Sequence, residues 1–281
     1  MHTAEKLIFA IRHNPFLERA NLLWNVLRPV YDRLTAVTGR KGIERIINGT
    51  DKVLLAPRWR MVSEEYEPDV WDRLIKEIKP GDVAADVGAY IGLYAITLAK
   101  RVGPSGSVVA FEPDVKSFAS LKEHVTLNAM SDRIELRQQA VGLNAGKLEF
   151  VAQSSALSCV SELNSQTARS ITSVECVSLD EVFAGKHLDV LKVDVEGYEE
   201  KVLAGASTLL QDKARSPRVI FIEVHPYAWE AIGTTSASLL GRLNDYGYQV
   251  RDMSDNVVSS IDEYGEVIAY KKSAGTSPFQ T

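Results

Sequence analysis

From Val83 to Tyr246, short runs of β-branched and apolar residues alternate with stretches of helical spacing, and that alternation leaves few folds open. Val83–Val87, Ser107–Phe111, Ile134–Ala140, Leu148–Val151, Glu175–Ser178, Val190–Val193 and Val219–Val224 read as strands. Ile91–Val102, Val115–Ala129, Tyr198–Leu210 and Ser236–Tyr246 read as helices. Strands separated by helices of about 10–15 residues form βαβ crossovers, hence a parallel sheet with helices on both faces. Tyr248–Met253 and Glu266–Lys271 follow each other without a long helix and suit an antiparallel hairpin at the sheet edge. The expected fold is α/β and doubly wound.

Residues 1–52 differ in texture. Phe16, Ala20, Leu23, Leu27, Val30 and Leu34 recur every three or four positions, and Pro15 and Pro29 each suit a first helical turn, so three short helices are expected between residues 3 and 38. The expected organisation is a helical appendage over 1–52, a main domain over 53–272 and a frayed tail over 273–281. Within the main domain, residues 53–61 read as strand-like, Pro68 opens a helix that ends at Pro80-Gly81, and residues 154–172 form an irregular loop. The apolar stripe of the appendage suits covering the domain or pairing with a second copy better than peripheral membrane contact.

The net charge of −5 argues against a general nucleic-acid binder, which needs surplus Lys and Arg to displace counterions. Residues 1–52 hold nine Lys/Arg against five Asp/Glu, an excess of four that reads as a solvated helical face. Cys159 and Cys176 match neither a disulfide framework nor a paired metal spacing. With no signal-peptide pattern and no long apolar run, a cytoplasmic protein without a transmembrane segment is expected.

Val83 to Gly92 carries the clearest local signal: an apolar strand ends in an acid, Asp86, and turns through Gly88 and Gly92 into a helix. Gly88 lets the backbone bend and a ligand approach, and Gly92 lets helix and strand pack closely. The dinucleotide pattern Gly-x-Gly-x-x-Gly is absent. An acid before the turn suits the cationic end of an amino-acid-bearing cofactor, with the turn's N–H groups taking its carboxylate. Glu112 ends the next strand, where an acid can accept two ribose hydroxyls, and Pro113 starts the following helix. Gln138 or Gln139 can bond an adenine amine, with Ala140 and Val141 covering the ring. Further on, a buried strand delivers Asp194 and Glu196 to the same crevice, while Glu199 reads as an acid favouring a helix N-terminus. Glu223 and His225 share one face at the end of the next strand.

Taken together, these residues resemble the FkbM-type methyltransferase family. The matching pieces are Asp86–Gly92, Phe111-Glu112-Pro113, Asn128, Val177–Asp180, Leu191–Glu199 and Ile222–His225. The resemblance implies a mostly parallel, seven-stranded Rossmann-like class I methyltransferase sheet, S-adenosylmethionine as cofactor, and O-methylation of a sugar, glycan, polyketide or other small-molecule hydroxyl. It further implies cofactor contacts at Asp86, Gly88, Ala89, Gly92, Glu112 and Asn128, with Asp194 near the methyl end. Tyr90 departs from the pattern, since the family often has Asn there.

Transfer to an alcohol needs alignment and a proton acceptor. The candidates are His225 and Glu223, then Asp194 and Glu196. A variant in which Asp194, Glu223 and His225 hold Mg²⁺ is less favoured than the metal-free one. The rival class is a non-catalytic methyltransferase-like ligand-binding or scaffold protein, in which intact acids at Asp86, Glu112 and Asp194 would have no physical need to persist.

Overall fold

A computed structural model describes residues 42–151, 159–160 and 171–272, so the expected N-terminal helices, most of the irregular loop and the tail lie outside the described residues. The chain divides into two compact units, residues 1–66 and 67–281.

In the first unit, β1 (Ile43–Ile47) and β2 (Asp51–Leu55) form an antiparallel hairpin. Its turn places Asn48 and Gly49 at φ 49° and 73°, the left-handed pair that a tight hairpin turn demands. The Asn48 side chain bonds both the carbonyl and the N–H of Tyr66, at 2.7 and 2.9 Å, and so fastens the turn to the end of the unit. The strand expected over 53–61 stops at Leu55, because Pro57 opens a short 3₁₀ turn.

The second unit begins with α1 (Pro68–Glu77), then alternates β3 (Val83–Val87), α2 (Leu93–Val102), β4 (Ser107–Phe111), α3 (Val115–Leu127) and β5 (Ile134–Arg137). Next come β6 (Ala140–Val141), β7 (Gly146–Val151), β8 (Cys159–Val160), β9 (Ile171–Val177) and α4 (Leu179–Val182). β10 (Val190–Val193), α5 (Glu199–Ala204), α6 (Ser207–Gln211), β11 (Val219–Val224), α7 (Pro226–Trp229), α8 (Ser236–Asp245), β12 (Tyr248–Asp252) and β13 (Gly265–Lys271) complete it.

The main sheet has seven strands in the order β12-β13-β11-β10-β3-β4-β5. β11, β10, β3, β4 and β5 run parallel, and β13 runs antiparallel to both of its neighbours. The expected doubly wound sheet with an antiparallel hairpin is therefore present. Every residue of β10 and β11 is buried, as strands covered on both faces must be. Because the register aligns Val87 with Val193 and Val193 with Ile222, the residues that follow β3, β10 and β11 emerge together at one edge. That common edge positions the site.

Two further features depart from the sequence reading. A second sheet, β6-β9-β7-β8, takes Ala140 and Val141 away from the third parallel strand, which ends at Arg137. The helix expected over 198–210 breaks at Gly205, whose backbone lies against Gly142: a Cβ there would stand 1.9 Å from the Gly142 carbonyl oxygen. Asp180 then starts α6 by accepting the N–H groups of Thr208 and Leu209 at 2.9 and 2.7 Å. Gly205→Ala forces backbone apart and is expected to lower the unfolding free energy by about 2–3 kcal/mol in urea titrations; an unchanged midpoint would contradict this packing.

Candidate active site

The turn after β3 is built by close approach. Gly88, at φ 89°, is pressed against the chain after β10, and a Cβ there would stand 1.7 Å from the Asp194 carbonyl oxygen. The N–H groups of Gly88 and Ala89 both donate to the Phe111 carbonyl, at 3.0 and 2.9 Å, and Gly92 N–H donates to Ala89 at 2.8 Å. These amides are thus engaged within the protein, contrary to the expectation that they take a ligand carboxylate. Tyr90 holds φ 48°, a left-handed conformation that Asn tolerates more readily, and its N–H donates to Glu112 at 2.8 Å.

Asp86 is buried, and neither of its carboxylate oxygens has a partner in good hydrogen-bond geometry among the described residues, although the Ala95 N–H lies near enough to favour its ionised form. Burial pushes its acid up to about 6, against the pull of the Lys192 ammonium. Glu112 accepts N–H bonds from Tyr90 and Asp114, both at 2.8 Å, one on each oxygen. Burial still pushes it up to about 8, with those two bonds opposing.

Lys192 lies at the centre. It pairs in register with Asp86, its Nζ stands 3.2 Å from Asp194 Oδ2, and it sits 4.6 Å over the Tyr94 ring. Tyr94 in turn packs on Trp71 at 4.9 Å and donates its hydroxyl to Glu67 at 2.7 Å. Burial opposes the charge on Lys192, yet Asp194, Asp86, Glu266 and Glu223 together raise its pKa well above the ordinary value. Glu266, paired in register with Glu223, is pushed up to about 8, by burial first. Asp194 is likewise pushed up to about 7, by burial and by Glu223 against the pull of Lys192. Glu223 is held down despite burial, by the His225 imidazolium 3.6 Å away and a hydrogen bond from Tyr264.

His225 forms the other half of the site. Its Nδ1 stands 2.7 Å from Glu199 Oε1, and Glu199 also accepts the Trp229 indole N–H and the Gly197 N–H, each at 2.8 Å. Glu199 is an acid of the first turn of α5, as expected, and being fully buried it also holds the imidazole, a role not legible in the sequence. His225 Nε2 faces Glu196 and Glu223 at 3.5 and 3.6 Å. Burial disfavours the imidazolium, but the bond to Glu199 and the nearby Glu223 and Glu196 carboxylates outweigh it and raise the pKa to about 10. Tyr227 and Tyr264 flank the ring, with hydroxyls bonded to Glu196 at 2.9 Å and to Glu223.

Not every expected residue joins this group. Asn128 caps the far end of α3, bonded to His124 and Lys100. The helix spans about 20 Å back from the strand edge at about 1.5 Å per residue, so Asn128 stands well away from the crevice. Pro113 does not start α3: Asp114 is the N-cap, accepting from Lys116 and Ser117. Gln139 is half-buried beside Arg137, at 3.4 Å, and Gln138 is exposed. Asp194, Glu223 and His225 offer ligand atoms within 4.8 Å of one another, as do Glu67, Glu223 and Glu266, so either group has the spacing to hold a cation.

Residues 86–250 match the family model described as "Methyltransferase FkbM domain". The chain is 32% identical over 170 residues to hexuronic acid methyltransferase AglP of Haloferax volcanii, a match covering 59% of this chain and 66% of that protein, just under two thirds of its length. It is 28% identical over 235 residues to 31-O-demethyl-FK506 methyltransferase FkbM of Streptomyces tacrolimicus, covering 71% of this chain and 84% of that one. Among solved structures, a methyltransferase FkbM from Methylobacillus flagellatus aligns with TM-score 0.45 and 15% identity over 72% of this chain and 53% of that chain.

The raised groups set the pH dependence of stability. Glu112 and Glu266 near 8, Asp86 near 6 and His225 near 10 all bind protons more tightly when folded, against unfolded values of about 4 for the acids and about 6.5 for His. Between about pH 6 and 9 the folded state therefore carries more protons, and stability falls as pH rises. The ligand-free protein is expected to show a Tm that drops steadily across that range in scanning calorimetry; a rising Tm would contradict the charge balance described.

Proposed function

The chain belongs to the FkbM methyltransferase family, and from that premise we propose that it uses S-adenosylmethionine to methylate a hydroxyl of a sugar, glycan, polyketide or other small-molecule acceptor. The observation that carries this reading is the contact of Gly88 with the Asp194 carbonyl, which puts the cofactor-type turn and a crevice acid side by side.

The residues present fit the cofactor. Asp86 has two buried oxygens without a partner in good hydrogen-bond geometry, which suits the cationic end of an amino-acid tail. Each Glu112 oxygen accepts one N–H and keeps a lone pair for a ribose hydroxyl. When bound, S-adenosylmethionine supplies a methyl group on a positively charged sulfur. The protein's own task is to hold the acceptor hydroxyl in line and to receive its proton.

Asp194 suits the proton acceptor best. Its side chain is 28% open to solvent, and its acid is raised toward neutrality, where a general base works most efficiently. His225 is only 1% exposed and already holds a proton between Glu199 and the carboxylates Glu196 and Glu223, so it acts as a fixed positive charge. Glu223, kept ionised by His225 and Tyr264, is the second acceptor for hydroxyl hydrogen bonds. Asp194→Asn is expected to lower kcat about 10²–10⁴-fold while leaving affinity for S-adenosylhomocysteine within a factor of about three, since one carboxylate oxygen becomes an amide of the same shape. Full turnover by this variant would remove Asp194 from the role, and loss of binding alone would place it with the cofactor.

A further inference from the structure

Among the described residues, the two aromatic side chains that rank as large exposed hydrophobics both stand over His225: Tyr227 is 68% exposed and Tyr264 62%. Their ring centroids lie 5.8 and 5.3 Å from the imidazole, one edge-on and one tilted. Exposed tyrosine rings beside a crevice are suited to contact with a ligand's apolar face. Each hydroxyl is donated to a different carboxylate, Tyr227 to Glu196 and Tyr264 to Glu223. Two O–H donors thus already occupy the two acceptors that border the crevice beside Asp194, and a ligand bearing two hydroxyls could replace them bond for bond.

The charge around this position is one-sided. Glu196 and Glu223 keep 16% and 11% of their side chains open, and Asp194 28%. The neighbouring cations, Lys192 and His225, expose only 3% and 2% of theirs, so neither can meet an incoming anion. A carboxylate-bearing acceptor would face like charge with no exposed counter-charge from these residues.

We propose that Tyr227 and Tyr264, with Glu196 and Glu223, form the acceptor subsite, and that it takes an uncharged ring bearing neighbouring hydroxyls and excludes one carrying a carboxylate. The inference rests on the methyltransferase reading above. It separates this chain from any relative acting on a uronic acid, because the discrimination lies in charge rather than shape.

Saturation-transfer NMR tests it, with methyl α-D-glucopyranoside and methyl α-D-glucopyranosiduronate titrated into the full chain, with and without S-adenosylhomocysteine. These probes share the ring and its neighbouring hydroxyls and differ only at C6, a hydroxymethyl in one and a carboxylate in the other. The glucoside is expected to bind at least about tenfold tighter than the glucuronide. Tyr227→Ala should weaken the glucoside about fivefold, and Tyr264→Phe, which keeps the ring and frees Glu223, should bind it as well as the parent or better. Equal or tighter glucuronide binding, no sugar binding at all, an undiminished Tyr227→Ala, or a Tyr264→Phe that loses the glucoside would each overturn the proposal. S-adenosylhomocysteine affinity in the same samples shows that the variants are folded, and its absence in the parent would count against the methyltransferase reading separately.

Discussion

A buried ammonium holds this site together. Lys192 lies inside the central strand of the sheet, where burial alone would strip its charge, and keeps it because Asp86, Asp194, Glu223 and Glu266 converge on it from neighbouring strands and strand ends. A charge in that position is tolerable only when paired, and removing one partner of such a pair costs about 3–5 kcal/mol. The register of β3, β10, β11 and β13 is therefore tied to the chemistry: a slip by one residue would turn Lys192 away from Asp86 and send every side chain to the other face.

His225 provides a second centre of positive charge, fixed by Glu199 from behind and facing Glu196 and Glu223 in front. Counting Glu67, Asp86, Glu112, Asp194, Glu196, Glu199, Glu223 and Glu266 against Lys192 and His225, the described site is short of positive charge. Burial first, and the excess of neighbouring carboxylates second, push the Asp86, Glu112, Asp194 and Glu266 acids above the ordinary carboxylate range. Arrival of a cation in such a place strengthens binding and ionises the acids together, which gives a sulfonium-bearing cofactor an electrostatic reason to bind here.

Much of this was legible in the sequence. Strand–helix alternation has a period that survives any detail of packing, so the parallel sheet and its edge hairpin followed from residues such as Val190–Val193 and Val219–Val224. Asp86, Glu112, Asp194, Glu223 and His225 were legible because strand ends in a parallel sheet share one edge. What was not legible depended on contacts between distant residues. Glu199 reads only as a helix-end acid until Trp229 and His225 are folded against it. Asn128 sits in a matching motif, yet α3 carries it to the far end of the helix. The helix break at Gly205 falls where its backbone meets Gly142, a neighbour distant in sequence. The hairpin at Asn48-Gly49 had a strong local signal, an Asn-Gly pair between apolar runs, which alone could have revealed it.

If the proposed cofactor binds here, its positive charge should displace a proton from Glu112, whose acid burial pushes up to about 8. That displacement is tested most directly by calorimetric titration of S-adenosylmethionine at pH 7 in buffers of different ionisation enthalpy, which reads the protons exchanged on binding. Net proton release is expected on binding, drawn mainly from Glu112, since Asp86, raised only to about 6, is already largely ionised at pH 7. Binding with no exchange, or with proton uptake, would contradict it.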